Sequence, residues 1–190
     1  TEALGILEEM EKQGSPSASY FKYFYYNHFK KDSTEAYNSI IKSAEQGYFL
    51  ALNDICAFTY WANDSVNNYY WCQKMIDRNY SEGYSQMAAY EEKFNHDYKK
   101  SIELQKQAFN MENPYAAYSL GMSYKNGDTG LEKDLETAKA YFYKTIEFVK
   151  DPNSLYARDA DSARVKLREI EEELLSYHPN SPSYLTKMQE

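Results

Sequence analysis

"AAYSLGMSYKNGDTGLEKDLETAKAYFYK", residues 116–144, decides how this chain is read. It opens on a helical face of small residues (Ala116, Ala117, Gly121) and passes through a glycine-studded loop. After Lys133-Asp134 it resumes as a second helical run carrying Ala138, Tyr141 and Lys144. One such hairpin says little about function, whereas a series of them defines an architecture. Looking back along the chain, Asp97, Asp64 and Asp32 each precede another helical run, and the successive steps from Asp134 are 37, 33 and 32 residues. Lys42, Lys74, Gln107 and Lys144 each fall ten residues after their Asp. Small residues begin the preceding run at Ala18, Ala51, Gly83 and Ala116. The segment "NGDTG", residues 126–130, accounts for the longer step by lengthening one turn.

Each recurring slot has a physical reason. An Asp before a helix accepts the orphan amide hydrogens of the first turn and complements the helix dipole. Gly14, Gly47 and Asn79 close the second helix of three units, and these residue types tolerate the left-handed C-cap conformation. Pro16, Pro114 and Pro152 fall at junctions between units, where no interior helix bond is lost. The pattern predicts an all-α chain. A first helix over about 2–13 is followed by hairpins at 17–29 with 33–46, 50–62 with 65–78, 81–94 with 98–111, and 115–126 with 135–149. A charge-rich helix over 154–176 suits a terminal cap. As units, this gives the second helix of a truncated repeat at 1–14, repeats at 15–47, 48–79, 80–112 and 113–152, a capping helix at 153–177 and a mobile tail at 178–190.

Composition narrows the partners. The 190 residues include 21 Tyr against 9 Phe and 2 Trp, an excess that suits half-buried surfaces better than dry cores. A net charge of -8 and a pI near 5.0 repel a phosphate backbone, so no nucleic acid is expected and a basic partner is favoured. No apolar run is long enough to span a bilayer. The start, "TEALGILEEM", carries no signal peptide, yet the absence of an initiating Met leaves a trimmed leader open, so the compartment is not set by sequence.

Helix hairpins of 32–37 residues resemble tetratricopeptide-type repeats. The fourth unit is similar to a Sel1-like repeat at Ala116, Tyr118, Leu120-Gly121, Tyr124, Gly127, Lys133-Asp134, Ala138, Tyr141 and Lys144. "KSAEQG" at 42–47 looks like the end of such a unit. At the slot of Gly121 the other units carry Cys56, Ala88 and Tyr23, and the last is bulky where close helix approach is expected. The resemblance implies a right-handed α-α superhelix, a solenoid of stacked hairpins whose concave face is lined by the first helix of each unit. On that basis the partner-binding residues are Tyr20, Phe24, Asn27 and His28 in unit one, and Asn53, Tyr60 and Trp61 in unit two. Ser85 and Glu92 follow in unit three, with Tyr118, Met122 and Lys125 in unit four. For any one of them the plainer reading is core packing or an ordinary exposed side chain.

Motifs for chemistry are missing. His28, His96 and His178 have no other His, Cys or paired carboxylate at metal-ligand spacing, so no metal and no cofactor is expected. "NGDTG" lacks the Lys-Ser/Thr of a phosphate-binding loop, and no Ser sits in a nucleophile elbow. No catalytic residue is assigned, and an enzyme is not expected. Cys56 and Cys72 lie 8 residues either side of position 64, which puts them at the same height on an antiparallel helix pair. Two readings stay open, a disulfide implying an oxidising compartment, or two buried thiols behaving as small apolar groups.

These readings lead to a non-enzymatic module that binds a partner protein or peptide on its concave face and is a monomer in isolation. A bacterial adaptor or an inhibitory, immunity-type protein is the sharper version. The alternative is a structural spacer within a longer repeat array.

Overall fold

The computed structural model describes residues 2–128 and 130–176; the 178–190 tail and His178 lie outside the described residues. Among the described residues the chain is all-α, with ten helices and no strand. Two compact units divide it, Thr1–Asp97 and Tyr98–Glu190, and the boundary falls inside the 80–112 stretch.

The first unit holds α1 (Glu2–Lys12), α2 (Pro16–Phe24), α3 (Ser33–Glu45), α4 (Phe49–Trp61), α5 (Ser65–Asp77) and α6 (Ser81–Tyr90). Their starts follow the capping logic. The Asp32 carboxylate accepts the Glu35 amide at 3.0 Å, and Asp64 accepts that of Asn67 at 3.1 Å. The Asn67 side chain and amide hold the Asp64 carboxyl below its ordinary range. Gly14 and Gly47 take positive φ at the ends of α1 and α3, and Asn79 does the same after α5.

Two helices depart from the expected pattern. Both α2 and α6 run on as π-helix, over Tyr25–Lys30 and Glu91–Asn95, where continuous α-helix was expected to about 29 and 94. The reason is a count. From the small residue that opens the helix to the following Asp there are 13 steps in Ala51 to Asp64, but 14 in Ala18 to Asp32 and in Gly83 to Asp97. The extra residue is absorbed as a widened turn, and the Asp32 and Asp97 amides bond back to the carbonyls of Tyr26 and Glu91, both at 3.0 Å. In α4, without the extra residue, the Asp64 amide reaches Thr59 at 3.0 Å.

The small residues let helices meet. Ala18 and Ala51 are completely buried, and a methyl group on Gly83 would lie 2.7 Å from the Ile76 amide nitrogen, so α6 rests directly on the end of α5. Cys56 of α4 and Cys72 of α5 form a disulfide with Cα atoms 5.7 Å apart. Beside it the buried Asn68 donates to the Cys56 carbonyl at 2.7 Å. No residue of α1 is fully buried, and a polar anchor adds to the half-buried Leu4, Leu7 and Met10 in holding the helix. Glu11 receives the Ser19 hydroxyl at 2.5 Å and the ammonium groups of Lys22 and Lys42 at 3.0 Å. Partial burial pushes its carboxyl up, but these three donors outweigh it and hold the pKa at about 2.

The second unit holds α7 (Tyr98–Asn110), α8 (Pro114–Asn126), α9 (Leu135–Phe148) and α10 (Ala157–Ser176). Asn113 caps α8 through the Ala116 amide at 2.9 Å, with Pro114 at the first helical position. Asp134 caps α9 through the amides of Glu136 and Thr137, at 3.1 and 3.0 Å. A methyl group on Gly121 would sit 2.8 Å from the Phe142 ring, so the two helices of this hairpin touch at that point. Phe142 is completely buried with Ala138, Ala163, Leu167 and Ile170, and its side chain contributes about 2–3 kcal/mol of burial. The helix expected from 154 starts at Ala157, because 152–156 form turns.

Two outcomes are expected. The Glu11 carboxyl titrates near 4.5 when free and near 2 in the fold, so its contribution is complete above pH 4.5 and is lost as pH falls toward 2. Amide-exchange protection of α1 should therefore decline over that interval, and Glu11→Gln should lower it at neutral pH and flatten the pH dependence. The disulfide spans a separation of 16 residues, so removing it by Cys56→Ser with Cys72→Ser should cost about 3 kcal/mol in chemical denaturation. Two reactive thiols in the unreduced, unfolded chain would refute the pairing.

Candidate functional site

The slot that packs α8 on α9 at Gly121 recurs at Cys56, Ala88 and Tyr23. Cys56 and Ala88 are completely buried. Tyr23 is the bulky member of the set, and it lines a cleft of about 360 Å³. One wall is Tyr23 on α2 with Asn27 on its π-helical extension; the second is Ser33, Ala36, Tyr37 and Ile40 on α3; the third is Asp54, Ile55 and Phe58 on α4. All three walls belong to the first unit.

The cleft carries one carboxylate. Asp54 Oδ2 accepts the Tyr20 hydroxyl at 2.7 Å, and no cation among the described residues pairs with Asp54. Burial pushes the Tyr20 phenol up, and the Asp54 bond and charge push it further. Tyr23 is raised as well, by burial first and then by Asp54. Both phenols are therefore held in their protonated form.

The residues named from sequence fall into distinct settings. Tyr20 is only 7% exposed and Ser85 is buried, so neither offers a side chain to a partner. Phe24 is half-buried, edge-on to Tyr20 with centroids 5.0 Å apart and stacked on the exposed His28 at 5.8 Å. Asn27 is exposed at the cleft. Asn53 accepts the Gln86 amide at 2.7 Å, tying α4 to α6. The Tyr60 ring lies 4.2 Å beneath the Lys93 ammonium group, which also donates to the Tyr60 carbonyl. Trp61 is 81% exposed, and Glu92 is partly exposed on the neighbouring π-helical segment.

In the second unit the residues expected on an open face of α8 are partly buried. Tyr118 and Met122 pack against the core that α9 and α10 build, and Lys125 pairs with Glu169 of α10 at 3.2 Å. The capping helix lies over this part of α8. Sequence reasoning also passed over Tyr37, Asp54, Ile55 and Phe58, which stand out only once α3 and α4 are brought together. The signal available was Tyr23 itself, a bulky residue in a small-residue slot.

Among the described residues no three His, Cys, Asp or Glu side chains gather as a metal site, and no helix is long and apolar enough to cross a membrane. No protein-family model matches the sequence, and no curated protein matches it. Two solved structures resemble the chain over 98% of its length. One is a protective antigen present in uropathogenic Escherichia coli strains that displays an SLR fold (TM-score 0.61, 18% identity). The other is a Sel1 repeat protein from Oxalobacter formigenes (TM-score 0.62, 19% identity). The chain spans 43% and 58% of their respective lengths. Likeness at this level of identity speaks to architecture, and the chain has the all-α helical-repeat solenoid fold of Sel1-like repeat proteins.

Proposed function

We propose that this chain is a non-catalytic protein-interaction module whose first unit binds a basic protein or peptide. The helices α2, α4 and α6 would supply the recognition face, within repeats divided at 15–47, 48–79, 80–112 and 113–152. The observation that carries the reading is on α4. Phe58 and Trp61 stand one helical turn apart, 59% and 81% exposed, beside a cleft that holds the Asp54 carboxylate. Large aromatic side chains left in water next to an unmatched charge mark interaction surfaces. The net charge of -8 favours a cationic partner and speeds its approach at low salt. A bacterial adaptor or an inhibitory partner of another protein would each use such a face.

Binding to an array of peptides graded in Lys and aromatic content tests the reading. Basic, aromatic-containing peptides should be retained over acidic ones of equal length, with affinity falling as salt rises. Trp61→Ala should weaken retention at least ten-fold, on the scale of a central aromatic contact, while the helical circular dichroism stays unchanged. Equal retention by Trp61→Ala and by Phe58→Ala would place recognition elsewhere.

A further inference from the structure

We propose that the cleft between α2, α3 and α4 is a binding site for a protonated primary amine on an alkyl stem, the end of a lysine side chain presented by the partner. The inference rests on the reading of the first unit as a binding face and adds the chemistry that its cleft selects.

Four observations converge on this ligand. Asp54 places a carboxylate in the cleft with no cationic partner among the described residues. A charge of that kind, partly removed from water, gains more from an incoming cation than an exposed surface carboxylate does. The rings of Tyr23, Tyr37 and Phe58 line the same space and offer π-faces that attract a cation, while Ile40 and Ile55 suit an apolar stem. The volume of about 360 Å³ lies at the small end of ligand cavities, roughly 300–1,000 Å³, which suits one side chain better than a cofactor.

The fourth observation separates ammonium from guanidinium. Oδ2 of Asp54 already accepts the buried Tyr20 hydroxyl at 2.7 Å, which takes one of the lone-pair sites that an in-plane fork of two parallel bonds would use. Oδ1 keeps both of its sites, and a compact point charge with rotatable donors meets such a partly occupied carboxylate with fewer constraints than a planar guanidinium.

The test uses the full chain, labelled with ¹⁵N and titrated with N-acetyl-lysine N-methylamide, its norleucine isostere, the arginine analogue and n-pentylamine. The lysine analogue should shift the amides of Tyr37, Asp54 and Phe58 and bind at least five-fold more tightly than norleucine and arginine. Pentylamine binding as tightly as the lysine analogue supports the site while identifying a free amine as its ligand. Asp54→Asn keeps an acceptor for Tyr20 and should erase the preference for lysine over norleucine. Phe58→Leu keeps the apolar stem contact, removes a π-face, and should reduce the preference two- to three-fold. Equal binding of lysine and norleucine, or shifts confined to other residues, overturns the inference. Trp61→Ala separates the two readings. Peptide binding lost in Trp61→Ala with no lysine preference in the wild type sinks the cleft and leaves the face. A lysine preference retained when Trp61→Ala has no effect on peptide binding supports the cleft as an amine site independent of the wider face.

Discussion

Close contact between helix backbones is the constraint on which this structure depends. A helix hairpin of about thirteen residues a side cannot bury its apolar stripe alone, so each must approach its neighbours nearly to backbone contact. Ala18, Ala51, Gly83 and Ala116 permit that approach at the helix starts, and Cys56 and Gly121 permit it further along. At Gly83 and Gly121 even a methyl group has no room. The larger side chains, Phe142 and Met75 among them, then fill what the small ones leave.

The candidate site lies at the one slot of this set that holds a bulky residue. Tyr23 occupies the fourth of the equivalent slots, and the gap beside it exposes the rings of α3 and α4 along with Asp54. The α4–α5 pair carries the disulfide, and the opening lies where the α2–α3 pair meets α4. In the second unit Tyr118 and Met122 are half-buried against the core built by α9 and α10.

The architecture was largely legible in the sequence because it rests on local rules. The Asp caps, the small-residue slots and the glycine stops each act within one turn of chain, so their spacing placed the helices to within a few residues. The π-helical ends of α2 and α6 were encoded too, as one residue more between Ala18 and Asp32 than between Ala51 and Asp64. The site was much less legible. Asp54 and Tyr37 are unremarkable as letters and gain meaning from residues ten or more positions away, across an interface that periodicity does not describe. Tyr118 and Lys125 looked available because the path of α10 over α8 depends on the side-chain packing of three helices.

The π-helical extensions bear on how such an array can diversify. An added residue in an ordinary α-helix turns every later side chain through about 100° and carries the following helix with it. A widened turn takes up the extra residue locally, so the helix after it starts from the same place. Asn27, His28 and Phe29 are exposed on this widened turn, and Asp32 directly after it still caps α3.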